Sequence, residues 1–438
     1  MKIFVITNKI SDNLIGLEKS SFYNFITKSQ KSDLNIAKQA EEIIAKTKKE
    51  GDRALIDLSN KFDKTNFKKA ADFIVSENEM KLAEKAVSKE VKLALNKAFK
   101  RIKDYHQKQL PKDFSFKDKE GVTLGNLWRT IDSVGIYAPG GTASYPSSVL
   151  MSAVPALVAG VKNISLCVPT SAEKINPAVL YAAKICGIKK IYKVGGAQAI
   201  TALACGTKTI SKVNKIVGPG NAFVAYAKKF LFGEVGIDMI AGPTDLTIIA
   251  DKNSNANWVA ADALSQLEHG IDSKAFIIVD DENFAVKIST AILSLAKDLP
   301  RKKIIEKSLK NSAIFVIKNL SDSVHVANFI APEHLEITTK NSEKLCEKIN
   351  NAGAIFLGKY TPEAIGDYMA GPSHTLPTSA SAKFSSGLSV YDFLKRISLI
   401  SCDKESFEKL SEDTAVLAAC EGLDAHRLSV EIRLGNRK

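Results

Sequence analysis

Two hydrophobic rhythms divide the chain. Up to about residue 130, apolar residues recur at three- and four-residue intervals with Lys and Glu between them. Residues 35–60 and 76–109 show this most clearly, and the spacing predicts amphipathic helices. Ser76, with Glu79 three residues on, reads as a capping box for the second of them. From Val134 onward, short β-branched runs end in Gly or Pro and give way to helical spacing, the rhythm of βαβ units on a parallel sheet. Residues 134–138, 163–168, 191–194 and 215–217 are the predicted strands of one unit. Residues 246–250, 275–279, 313–317, 335–338 and 354–357 are those of a second. Between 404 and 433 the spacing is helical again. The fold class expected is therefore α/β: two Rossmann-like parallel-sheet units with an N-terminal helical arm and a small C-terminal helical tail. The boundaries follow: 1–130 for a helical region partly packed on the second unit, 131–240 and 241–385 for the two units, and 386–438 for the tail.

Composition narrows the class. A chain of 438 residues exceeds one ordinary hydrophobic core, so several domains are expected. Its 45% hydrophobic and 25% charged residues are those of a globular protein in water, and no apolar run reaches bilayer length. Residues 1–7 are too short an apolar stretch for a signal-peptide core, so a cytoplasmic location without a membrane partner is expected. The net charge of +13 raises the question of nucleic acid. The lysines are spread along the whole chain, however, and are not clustered with arginine and aromatics as phosphate readers are. A solvated basic surface, with no nucleic-acid partner, is the reading. Six cysteines (Cys167, Cys186, Cys205, Cys346, Cys402, Cys420) show no CxxC spacing and read as reduced and structural.

Several constellations carry chemistry. Three glycine-rich turns each follow a predicted strand and precede a helix: Ala138-Pro139-Gly140-Gly141, Gly195-Gly196-Ala197-Gln198 and Gly218-Pro219-Gly220-Asn221. Such turns let backbone N–H groups approach a pyrophosphate at a helix N-terminus. None reads GxGxxG, so each alone fits an ordinary turn. Their recurrence, with Tyr137, Gln198 and Asn221 beside them, favours a nucleotide site. Gln266 and His269, three apart, share one face near a helix end; the histidine fits a C-terminal cap or, with the amide, a pair of metal ligands. Glu333 and His334 follow a proline at the mouth of a strand, where an acid beside an imidazole suits proton transfer, although a polar surface loop fits as well. Residues 366–378, with Asp367 and His374, and the small-residue run 379–386 form a turn-rich loop of the kind that serves a ligand. Glu421 and His426 lie in the tail on either side of Gly422. His106 and His325 belong to no motif and read as surface or core fillers.

The segments IYAPGG, VGGAQAI, GPGNAF, AGPTD, SQLEHG, APEHLEI, AGAIFLG, GDYMAGPSHTLPT and EGLDAH, in this order, resemble the histidinol dehydrogenase family from the late helical region to the tail. The resemblance implies that Gln266, His269, Asp367 and His426 hold one zinc ion per subunit, a mixed N/O set suited to that metal. It implies that Glu333 and His334 are the acid/base residues and that Tyr137, Gln198 and Asn221 contact NAD in the first unit. It places Thr244, Gln266, His269, His334, Asp367, His374, Glu421 and His426 around the substrate, L-histidinol. It further implies a homodimer with exchanged domains, the ligand from the tail crossing the interface. The implied reaction takes L-histidinol, water and two NAD to L-histidine and two NADH through histidinal, the last steps of histidine biosynthesis. At Asp245 the family usually has Glu, while Thr244 keeps the hydroxyl expected beside it. The alternatives are a metal-dependent hydrolase, with the glycine turns as mere structure, and a dehydrogenase of a related amino alcohol. A basic binding protein has only the net charge in its favour.

Overall fold

The structure is a computed structural model that describes residues 1–7, 10–11, 14, 17–18, 20–27, 34–140, 145–170 and 174–435. Gly141, the last residue of the first glycine-rich turn, lies outside the described residues.

Two parallel sheets organise the chain. The first has the order Lys190–Tyr192, Asn163–Cys167, Ser133–Tyr137, Lys215–Val217, Gly236–Ile237. The second has the order Lys2–Ile6, Ala313–Ile317, Lys274–Val279, Asp245–Ile249, His334–Ile337, Ala354–Leu357. Helices cover both faces of each, so central strands such as Asp245–Ile249 and Ala313–Ile317 are buried throughout. That double burial is why Ala313–Ile317 reads as an unbroken apolar run and not as an alternating one. All nine predicted strands are present to within a residue or two at each end.

The strand order reverses once in each sheet: between Ser133–Tyr137 and Lys215–Val217 in the first, and between Asp245–Ile249 and His334–Ile337 in the second. Such reversals leave a crevice between diverging connections, where α/β proteins bind ligands.

The first 130 residues depart from a purely helical region. Lys2–Ile6 is a strand on the edge of the second sheet, paired in parallel with Ala313–Ile317. Helix Ser21–Ile26 packs on the same sheet through Phe22, while the helices from Leu34 onward cover the first sheet. Ile44 and Leu55 pack with helix Gly196–Cys205, and Leu95 and Ile102 pack with helix Pro146–Val158. The predicted helix 35–60 is broken at Gly51 (φ +56°) into Leu34–Glu50 and Asp52–Phe62. The predicted helix 76–109 is broken at Val87 and Ser88 into Glu77–Ala86 and Lys89–Gln107. The capping box forms: Glu79 N donates to Ser76 Oγ at 3.2 Å and Ser76 N donates to Glu79 Oε2 at 2.7 Å.

A third, antiparallel sheet links the N-terminal region to the tail: Leu394–Ser401 pairs with Thr123–Thr130, which pairs with Phe114–Lys117. The tail is thus a strand followed by helices Lys404–Cys420 and Asp424–Glu431. Among the described residues, no helix is long and apolar enough to cross a membrane. All six cysteines are free, and His106 is a fully buried filler whose Nδ1 lies 2.7 Å from Gln109 Oε1.

Candidate active site

The two strand reversals face one another across a cleft of about 410 Å³. From the first sheet come residues just past the carboxyl ends of the strands, Pro139, Gly140, Pro219, Gly220 and Asn221. Gly218 opens the second of these turns with φ +111°, and a Cβ there would stand 2.1 Å from Tyr137 O. Only glycine fits so close an approach. The turn is pinned from below. Asp238 accepts from Gly218 N at 2.7 Å and pairs with the fully buried Lys228, whose Nζ donates to Gly218 O at 2.9 Å.

The second sheet contributes its amino ends. Thr244 precedes strand Asp245–Ile249, and Glu333 and His334 open strand His334–Ile337. Helix Ala256–Leu267 runs back toward this edge and ends at it, with Gln266 buried in its last turn and His269 exposed at the cleft wall. A turn of π-helix, Gly366–Ala370, brings Asp367 and Tyr368 to the cleft. Irregular turns of this kind recur at functional sites.

Around His334 the chain gathers carboxyl groups. Its Nδ1 lies 3.6 Å from Glu363 Oε1 and its Nε2 3.7 Å from Asp367 Oδ1. His374 accompanies it, with Nδ1 3.1 Å from the backbone oxygen of Asp367 and Nε2 3.3 Å from Ser148 Oγ. Burial opposes a charged imidazolium at His334, but the Glu363, Glu333 and Asp367 carboxylates outweigh it and hold the ring well above its ordinary value. Burial pushes Glu333 up to about 7, against the pull of His334 and the Thr244 hydroxyl. Asp245 is pushed up to about 6 by burial, and its Oδ2 has no partner. The acid that departs from the family's usual Glu therefore lies beneath the site, not in the cleft.

Glu363 escaped the sequence reading. It is buried, and its backbone N–H donates to Glu336 Oε1 at 2.7 Å. With the Gln266 amide oxygen toward Thr244 Oγ1 (2.5 Å) and Asp245 N (3.3 Å), the amide nitrogen donates to both carboxylate oxygens of Glu363, at 2.6 and 3.0 Å. Turned the other way, the amide presents its oxygen to the carboxylate, an arrangement favourable only when a cation lies between two such acceptors. His269, Glu363 and Asp367 offer ligand atoms within 4.8 Å of one another. One imidazole and two carboxylates, with the Gln266 amide beside them, form a hard-to-borderline N/O donor set that fits a divalent ion.

A second cleft of about 590 Å³ continues from the first past Pro139, Gly140 and Asn221. Tyr137 and Gln198 line it, both buried. The Tyr137 hydroxyl accepts from Gly196 N at 3.1 Å, at the start of helix Gly196–Cys205. Asn221 caps helix Ala222–Leu231 by accepting from Phe223 N and Val224 N. The outer wall comes from the N-terminal helices through Gln39, Ile43, Phe62 and Asp63, a contribution that nothing in the sequence reading anticipated.

Comparison with known proteins decides what this pair of clefts belongs to. The family model described as histidinol dehydrogenase matches residues 26–434. The chain belongs to the histidinol dehydrogenase family. It is 47% identical over 427 residues to histidinol dehydrogenase of Bradyrhizobium diazoefficiens, covering 96% of this chain and 99% of that one. It is 45% identical over 420 residues to histidinol dehydrogenase 1 of a Nostoc species, covering 95% and 96%. Its fold superposes on the crystal structure of histidinol dehydrogenase from Elizabethkingia anophelis with a TM-score of 0.93 at 37% identity, covering 99% and 98% of the two chains. Membership makes the chain an NAD-dependent oxidoreductase that acts on histidinol in histidine biosynthesis.

Of the site residues the sequence suggested, the chain brings Thr244, Gln266, His269, Glu333, His334, Asp367 and His374 together at the first cleft. Tyr137, Gln198 and Asn221 meet at the second. Glu421 and His426 do not join them: both are exposed, one at the end of helix Lys404–Cys420 and the other on helix Asp424–Glu431.

Proposed function

We propose that the two clefts hold the two reactants of one site. NAD lies along the reversal of the first sheet, its pyrophosphate at the glycine turns and its nicotinamide toward the second sheet. L-Histidinol lies against the amino ends of the second sheet. The observation that carries this reading is the buried Glu333–His334 pair, which opens onto a cleft continuous with the one lined by Tyr137 and Gln198. A runner-up hydrolase would have no use for the second cleft.

With a divalent cation bound beside Glu363 and Asp367, the carboxylates that otherwise keep its ring charged would be offset, and neutral His334 takes the hydroxyl proton of histidinol while hydride passes to NAD, leaving histidinal and one NADH. Glu333, held near neutrality by burial, then draws a proton from the water that adds to the aldehyde. After NADH leaves and a second NAD takes its place, His334, having released its first proton to solvent, takes a hydroxyl proton of the hydrate as a second hydride passes to NAD; the carboxylic acid formed loses its proton to water and is the carboxylate of L-histidine. Keeping both steps in one cleft prevents loss of the reactive aldehyde. Thr244 Oγ1 lies 2.5 Å from the Gln266 amide and helps to fix that side chain.

Gln266, His269 and Asp367 would hold a zinc ion with His426 of a second copy, the Gln266 amide turned so that its oxygen faces the ion beside Glu363. When bound, zinc supplies positive charge against the gathered carboxylates and a point of attachment for the substrate amine and imidazole. A dimer that exchanges its tails supplies His426 and Glu421. In support, the tail and the antiparallel sheet expose apolar side chains: Phe116 is 53%, Ile400 70% and Leu417 64% accessible. The division of the chain at 130, 240 and 385 belongs to this reading, with 131–240 as the cofactor unit and 386–438 as the exchanged tail.

Mixing inactive His334→Ala and His426→Ala subunits tests the arrangement. Hybrid dimers would carry one intact site, so randomly mixed subunits should regain about a quarter of native NADH formation. No recovery on mixing, together with native zinc content in His426→Ala by mass spectrometry, would exclude the shared site.

A further inference from the structure

We propose that Asp63 receives the hydroxyls of the adenosine ribose of NAD and sets the preference for NAD over NADP. The inference rests on the placement of NAD given above. Asp63 follows helix Asp52–Phe62, where its backbone N–H bonds Ser59 O at 2.8 Å. Its side chain stands in the wall of the second cleft with Tyr137 and Gln198. One carboxylate oxygen, Oδ2, is enclosed and has no hydrogen-bond partner among the described residues. Burial pushes the group up to about 6, and its charge is close enough to Tyr137 to disfavour the phenolate there. The next residue, Lys64, has φ +53°, a left-handed conformation that a lysine rarely adopts. A half-buried carboxylate with one enclosed, unpaired oxygen beside a strained backbone position adds nothing to folding, and such features gather where a ligand completes them.

The chemistry of the missing partner follows from position. The first cleft, with Glu333 and His334, takes the nicotinamide, and the glycine turns between the clefts take the pyrophosphate. The second cleft is left with adenosine. Its ribose carries a vicinal diol that can donate two hydrogen bonds to one carboxylate, whereas a 2′-phosphate offers no donor and brings negative charge against it. Lys64 and Lys174 line the same cleft and would favour anions in general; Asp63 is the group that distinguishes the two cofactors.

Calorimetric titration of NAD and NADP into the full-length protein, its Asp63→Ala and Asp63→Asn variants and a Gln198→Ala control tests this. Asp63→Ala should weaken NAD about tenfold, the loss expected for hydrogen bonds to a charged group. Asp63→Asn should weaken NAD and tighten NADP, so that their affinity ratio falls at least about tenfold. Native NAD affinity in both variants, with Gln198→Ala weakened, overturns the role of Asp63 and leaves the placement of NAD standing. Native affinity in Gln198→Ala as well overturns the placement and the proposal together. Because Asp63 Oδ2 has no hydrogen-bond partner among the described residues, the melting temperature of Asp63→Asn without nucleotide should equal or exceed the native value. A lower one, with both nucleotides lost, would make Asp63 a structural residue and overturn the proposal.

Discussion

The two sheets are built on one plan but meet the site by opposite ends, and the difference sets the charge each side presents. On the first sheet, helices Gly196–Cys205 and Ala222–Leu231 begin at the cleft. The positive end of each helix dipole faces it, which suits a pyrophosphate. On the second, helix Ala256–Leu267 ends at the cleft, and Glu333, Glu363 and Asp367 open onto it with Asp245 beneath. That edge suits a divalent cation and the ammonium group of histidinol. Turning one βαβ unit end for end relative to the other thus makes an anion site and a cation site from the same architecture.

If the two sides are separate in function, changes on one should leave the other's ligand alone. The largest effect expected is from His334→Ala: kcat should fall about 10³-fold, the scale of a lost general base, with NAD affinity by calorimetry unchanged. A comparable loss of NAD affinity would erase the division. Next comes the first side's buried ion pair. Lys228→Met leaves Asp238 buried without its cation beneath Gly218 and should cost about 3–5 kcal/mol in urea unfolding. A variant as stable as the native chain would show that water, not Lys228, compensates Asp238.

Much of this division could be read from residues, and the exceptions have physical causes. Lys215–Val217 and Ala313–Ile317 were legible because strands buried on both faces must be apolar throughout. Lys2–Ile6 was not: it is an edge strand, largely exposed on one side, and its partner Ala313–Ile317 is far away in sequence. Leu394–Ser401 and Thr123–Thr130 are half-exposed and lack the clear alternation that marks a sheet with one face in the core. At the site, Gln266 with His269 and Glu333 with His334 show themselves as local pairs. Glu363 has no local signature. It matters through Gln266 and His334, which only the fold brings to it, and its one sequence signal is an acid after Pro362 in an otherwise apolar turn. Glu421 and His426 were legible through the family resemblance alone, since within one chain they face solvent.

Glu363 gives the second side its own test. Exchanging its carboxylate for an amide in Glu363→Gln removes a negative charge beside the ion and beside His334 while keeping volume. Zinc affinity, measured by competition with a chelator, should fall about 10–100-fold, the usual effect of losing a group that orients a metal ligand. Native affinity would mean that the Glu363 carboxylate takes no part in holding the ion.

The smallest effect belongs to the first side and sharpens its chemistry. The Tyr137 hydroxyl already accepts from Gly196 N, so its own proton remains available to a ligand, one donor and one acceptor being what a phenol offers. Tyr137→Phe removes both roles and keeps the ring, which is packed against the core. If the proton serves NAD, the variant should bind it about fivefold more weakly, the worth of one net hydrogen bond, with zinc affinity unchanged. If the hydroxyl only satisfies Gly196 N–H, urea unfolding should show the loss while NAD affinity stays native. The two measurements together say whether the phenol belongs to the fold or to the cofactor.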